Sequence, residues 1–151
     1  MSVTDPQAMR RAIDLARASL GLTAENPAVG CVIVRDGRIV GEGATAPGGR
    51  PHAEELALAQ AGDLARGASA YVTLEPCGAR SNGASSCSER LVSAGVTRVI
   101  VACDDASAFA SGAGRLRLLG AGVAVDSDYL KDEAQFLYAN YTPPGGGPAA
   151  R

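Results

Sequence analysis

Apolar residues recur at Met9, Ala12, Ile13, Ala16 and Leu20, the three-and-four spacing of one buried helical face, and predict a helix over residues 5–20. Thr4 or Asp5 offers a cap for it, and Pro6 suits its first turn. The stretch AVGCVIVRDGRIVGEGA then gives two strand-like runs around Asp36-Gly37, a dipeptide that closes tight hairpins. Cys31 and Ile33 alternate with Val32 and Val34, so both faces of the hairpin are apolar, and cover is expected on both sides.

Beyond the loop TAPGGRP the pattern predicts a helix over 51–61 that stops near Gly62. A strand, ASAYVTLE, runs up to Pro76, and a loop-like CGARSNGASSC leads to a helix over 86–94. TRVIVAC reads as a buried strand, 112–120 as a short helix, VAVD as a fifth strand and 129–140 as a closing helix. Strands and helices alternate from the second strand onward. This predicts an α/β fold with a mixed sheet between helical layers. Residues 1–141 are expected to form one domain, and the Pro- and Gly-rich 142–151 a flexible tail.

Composition narrows the function classes. The 151 residues are 46% hydrophobic and 20% charged, with no apolar run long enough for a membrane span. The first twenty residues place their arginines inside an amphipathic pattern and lack a cleavable apolar core, so a cytoplasmic protein is expected. A formal charge of −2 and a pI near 5.4 give no electrostatic case for nucleic acid. Four tyrosines, two phenylalanines and no tryptophan leave little for base stacking. A small-molecule substrate is the expected partner.

The chemistry concentrates in a few residues. His52, the single histidine, stands two residues before Glu54 at a predicted helix start. Cys77 follows a strand and Cys87 opens the next helix. Parallel strand-to-helix junctions put helix N-termini at one sheet edge, where sites form in such folds. One imidazole and two thiolates give Zn²⁺ three ligands and leave the fourth position for water. Helix N-termini stabilise the thiolates. Glu54 is offset so that it can serve as a proton shuttle without ligating. Cys103, at a strand end, is the one candidate for a fourth ligand, and Cys31 reads as a buried strand residue.

The order His-x-Glu, then Pro-Cys and a second Cys, is the signature of zinc-dependent deaminases. The chain resembles the cytidine deaminase superfamily, and most closely the pyrimidine deaminase branch of riboflavin biosynthesis. The similarity runs over 9–141 through ENPAVGCVIVRDGRIVGEG, PHAEELAL, GASAYVTLEPCG, AGVTRVIVA and GAGRLRLLGAGVAV. It implies a three-layer α/β/α fold with five strands, and His52, Cys77 and Cys87 as zinc ligands. It also implies Glu54 as the residue that takes a proton from water and returns protons to the ring nitrogen and the departing ammonia. Substrate contacts are expected at Asn26, Thr45, Ala53, Arg80 and Asn82, and a homodimer or homotetramer by analogy.

The sequence departs from that branch between its cysteines. The branch pattern resembles Cys-Ser-His-x-Gly-(Arg/Lys)-Thr-Pro-Pro-Cys, whereas this chain has one residue more, with Ala79 in place of the histidine. The basic residue aligns with Asn82 or Gly83, and Arg80 offers a cation from a shifted position. Thr45 replaces a second family histidine, and only Asp105 remains of an Arg-Asp-Pro-Asn-Pro motif. The residues for the chemistry are kept while those that hold the substrate differ. Two alternatives therefore stand beside the riboflavin intermediate: another amine-bearing base, nucleoside or nucleotide, and a non-catalytic module with zinc closed by Cys103.

Overall fold

The computed structural model describes residues 2–78, 85–104 and 112–141. Helix α1 (Asp5–Ser19) begins at Thr4, whose hydroxyl accepts from the Gln7 N–H while the Gln7 side chain accepts from the Thr4 N–H. Strands β1 (Gly30–Arg35) and β2 (Arg38–Ala44) form the hairpin, with Asp36 at φ +52° and Gly37 at φ +76° as its primed turn requires. Then follow α2 (Ala53–Ala61), β3 (Ser69–Leu74), α3 (Cys87–Ala94), β4 (Arg98–Cys103), α4 (Ala113–Gly120), β5 (Ala124–Asp126) and α5 (Lys131–Ala134).

The five strands form one mixed sheet in the order β2-β1-β3-β4-β5. Strand β1 is antiparallel to both β2 and β3, whereas β3-β4 and β4-β5 are parallel. Strands β2, β3, β4 and β5 therefore all point the same way. Helices α2, α3 and α4 start at the edge to which these strands run and pack on one face. Helix α1 and α5 cover the other face, joined by the Arg10–Glu133 ion pair at 2.9 Å. This is the expected three-layer α/β/α architecture.

The core is built from Met9, Ile13, Val32, Ile33, Val72, Leu74, Leu91, Ile100 and Leu118, each almost wholly buried. Close approach matters as much as bulk. A methyl group on Gly30 would lie 1.8 Å from the Ala12 carbonyl oxygen, so α1 rests on β1 at backbone contact.

Three expectations are corrected. Helix α2 begins at Ala53, with His52 as its N-cap, and not at Pro51, which lies outside it after a cis Arg50–Pro51 peptide. Only β1 of the hairpin is buried on both faces, because β2 is an edge strand. The closing helix is shorter than 129–140. The Tyr129 N–H donates to the Val101 carbonyl at 3.0 Å and Leu130 sits at φ +53°, so helix starts only at Lys131. It then tightens into a 3₁₀ turn, Gln135–Tyr138, whose threefold period puts buried Ala134 and Leu137 on one side. No described helix is long and apolar enough to cross a membrane. Residues 142–151, read as a tail, lie outside the described residues.

Candidate active site

Three helix N-termini meet at the edge where the parallel strands end. His52 is buried at the N-cap of α2, with extended backbone at φ −73° and ψ 159°. Its N–H donates to the Glu55 carboxylate at 2.8 Å, and Glu55 also pairs with Arg90 of α3 at 3.4 Å. This fixes the first turn of α2 against α3. Glu54, one residue into the helix, is completely buried.

Cys87 is the first residue of α3 and Cys77 lies three residues past the end of β3. Ser86 caps α3: its hydroxyl accepts from the Glu89 N–H at 3.2 Å, and the Glu89 carboxylate accepts from the Ser86 N–H at 3.1 Å. The Ser86 N–H first and the Ser86 hydroxyl second, both donating to it, hold the Glu89 carboxyl below its ordinary range. The Cys87 N–H donates to the Cys77 sulfur at 3.2 Å, and the Ser88 N–H to the Cys77 carbonyl at 3.1 Å. A sulfur that accepts from a helix N-terminus is suited to be a thiolate.

The ligand atoms of His52, Cys77 and Cys87 all lie within 4.8 Å of one another, with His52 Nδ1 3.4 Å from Cys87 Sγ. Ligand edges of a tetrahedral zinc site are about 3.5–3.8 Å for Zn–N near 2.0 Å and Zn–S near 2.3 Å. The His52–Cys87 separation is close to such an edge, and the chemistry of the donor set, one imidazole and two thiols, suits a zinc ion. Cys103 is buried but is not part of this group, and burial pushes its thiol up to about 11.

A buttress stands beneath Cys77 that the sequence pattern did not disclose. A methyl group on Gly114 of α4 would lie 1.9 Å from the Pro76 carbonyl oxygen, so α4 touches the turn that bears Cys77 at backbone distance. Buried Glu75 accepts from the Gly112 N–H at 3.3 Å and the Arg115 N–H at 3.5 Å, closing the N-terminus of α4. Arg117 donates to the Gly78 carbonyl at 3.1 Å. These contacts span roughly forty positions of sequence, beyond the reach of local periodicity.

The five expected substrate contacts fare differently. Asn26 Nδ2 donates to the Gly49 carbonyl at 2.9 Å, which holds the segment leading to His52. Thr45 is buried; its hydroxyl accepts from the Val29 N–H at 2.9 Å and donates to the Pro27 carbonyl at 3.1 Å. Ala53 is buried between His52 and Glu54. Arg80 and Asn82 lie outside the described residues.

The model of the cytidine and deoxycytidylate deaminase zinc-binding region matches residues 2–103. The chain belongs to the cytidine and deoxycytidylate deaminase family. Within that family it is similar to the riboflavin biosynthesis protein RibD of Haemophilus influenzae, at 47% identity over 127 residues, 84% of this chain and 34% of the relative. It is 45% identical over 133 residues to RibD of Escherichia coli, 88% of this chain and 36% of the relative. The chain thus spans about a third of the length of these curated relatives. The solved structure of Acinetobacter baumannii RibD superposes with a TM-score of 0.84 at 45% identity, over 89% of this chain and 37% of that one. A Thermotoga maritima structure, titled as a diaminohydroxyphosphoribosylaminopyrimidine deaminase and 5-amino-6-(5-phosphoribosylamino)uracil reductase, gives 0.81 at 34% identity, over 91% and 41%.

Proposed function

We propose that this domain is a zinc-dependent hydrolytic deaminase that removes an exocyclic amine from diaminohydroxyphosphoribosylaminopyrimidine, an intermediate of riboflavin biosynthesis. The observation that carries the reading is the buried His52, Cys77 and Cys87 group with the fully buried Glu54 carboxylate on the first turn of the same helix. The similarity to RibD proteins supports the substrate.

His52 through Nδ1, and Cys77 and Cys87 through their sulfurs, would hold the ion. Zinc, when bound, would supply a Lewis acid that acidifies a water molecule. Glu54 would take up the proton that this water gives up and deliver it to the ring nitrogen, then take the proton of the hydroxyl added to the ring carbon and pass it to the departing amine as the carbonyl forms. Its burial removes competing solvent and keeps the carboxylate in one place. Asn26 and Thr45 keep the 45–51 segment in position beside the ring, Ala53 leaves room for it, and Arg80 and Asn82 serve the ribosyl side. The enzyme works in the cytoplasm as a homodimer or homotetramer on a small molecule.

A second reading, the same chemistry on another amine-bearing base, nucleoside or nucleotide, is favoured by Ala79 and the longer stretch between the cysteines. Ammonia release from the aminopyrimidine ribotide, cytosine, cytidine and deoxycytidylate, with zinc measured on the same sample, separates the two. The ribotide is expected to turn over fastest. No turnover of it beside fast turnover of a free base or nucleoside would establish the second reading.

A further inference from the structure

Most cations of the described residues have an evident occupation. Arg10, Arg11, Arg17, Arg90 and Arg98 each face a carboxylate. Arg38, Arg66 and Arg115 lie in water. Arg50 does neither. It is partly buried, its Nη1 is shut off from solvent without a hydrogen-bond partner, and no described carboxylate pairs with it.

A guanidinium nitrogen withdrawn from water and left without an acceptor is costly unless a ligand supplies one. The backbone around it is fixed on both sides. Asn26 grips the Gly49 carbonyl at 2.9 Å, and the Ala46 N–H donates to the Pro51 carbonyl at 3.1 Å. Arg50 stands two residues before His52, which limits the separation of their Cα atoms to about 7 Å. The planar fork of an arginine suits the oxygens of a phosphate monoester, which accept two parallel N–H bonds. The stretch after Cys77 meanwhile lacks a cation where the resemblance expects one, with Asn82 or Gly83 in its place.

We propose that Arg50 is the receptor for the substrate's phosphate, supplied from the start of the His52 helix and not from the segment between the cysteines. The inference rests on the reading that the substrate is an aminopyrimidine ribotide, and it names the residue that selects the phosphorylated form. Arg50 binds and does no chemistry. Its loss raises KM and leaves kcat in place.

Steady-state kinetics of wild type, Arg50→Ala and Arg50→Lys with the ribotide and its dephosphorylated counterpart test this, with zinc content and melting temperature recorded for each. Arg50→Ala is expected to raise KM for the ribotide by roughly 10- to 100-fold, the range of a charge-assisted hydrogen bond. KM for the dephosphorylated compound stays within about twofold, and Arg50→Lys recovers part of the loss because it keeps the charge without the fork. An equal loss on both compounds, or none on either, overturns the proposal. Titration with ribose 5-phosphate, read by melting temperature, keeps the inference separate from the substrate reading. If wild type turns over no ribotide but is stabilised by ribose 5-phosphate, and Arg50→Ala is not, Arg50 stands and the substrate assignment falls. If the two proteins respond alike, or neither responds, Arg50 is not the receptor.

Discussion

Gly114→Ala tests how the fold holds Cys77. The added methyl would sit 1.9 Å from the Pro76 carbonyl oxygen, so α4 and the 76–78 turn must separate by about 1.1 Å to reach even a tight 3.0 Å contact. The bonds from Gly112 and Arg115 to Glu75, already 3.3 and 3.5 Å long, do not survive that movement. Overpacking costs about 1–3 kcal/mol and the two weak hydrogen bonds about 1 kcal/mol each, while alanine returns about 0.5–1 kcal/mol of helix propensity. The net loss is about 2–4 kcal/mol, a fall of about 4–16 °C in Tm for a domain of this size. Cys77 moves with the turn, so zinc affinity should fall roughly 10- to 100-fold, as when the support of a ligand is removed. Gly30→Ala provides the contrast. Its methyl would meet the Ala12 carbonyl at 1.8 Å, on the α1 face of the sheet and not on the face that carries α2, α3 and α4. Urea denaturation and chelator competition on both variants read the two effects. Gly114→Ala should lose stability and zinc affinity together, and Gly30→Ala stability alone. Unchanged zinc affinity in a destabilised Gly114→Ala protein would refute the coupling.

Asp5 accepts from Arg98 and from the Tyr71 hydroxyl, and Arg98 first, Tyr71 second, hold its carboxyl below its ordinary range. Its contribution is present above the unfolded value near pH 4 and is lost as pH falls through the lowered folded value. Asp5→Asn should therefore lower the urea midpoint at pH 7, with the gap closing towards pH 3; a gap that persists there contradicts the network. Tyr138→Phe removes a hydroxyl that donates to the Ala28 carbonyl at 2.9 Å and meets Thr73 Oγ1 at 2.7 Å. It should cost about 1–2 kcal/mol in urea unfolding, and a neutral result would mean the latch is idle. Cys103→Ser should keep full zinc content by metal analysis, since Cys103 lies outside the ligand group; loss of zinc would restore the closed, structural site.

What the sequence disclosed follows from range. Helix α1, the Asp36-Gly37 hairpin and the strands β3 and β4 were legible because spacing and turn chemistry are local properties. The convergence of His52, Cys77 and Cys87 was legible because each sits at a strand-to-helix junction that the pattern already marked. Glu55 has the sequence character of an ordinary first-turn acid, yet it closes the turn on His52 and pairs with Arg90. Histidine is not a usual cap, so the three-residue spacing gave no capping signal. Glu75 and Gly114 were invisible for another reason. Their partners lie far along the chain and only the sheet order brings them together. The closing helix failed on backbone competition, where the Val101 carbonyl claimed the Tyr129 N–H.

The central claim is that Glu54 moves the protons of a deamination at a metal-binding group it does not itself ligate. Ammonia release and zinc content measured together on wild type and Glu54→Gln test it most directly. Glutamine keeps the shape of the buried side chain and cannot carry the proton. The account predicts full zinc content with turnover lower by about 10²- to 10⁴-fold, the usual contribution of a general acid–base residue. Wild-type turnover in Glu54→Gln, on a substrate the wild type deaminates, would contradict it.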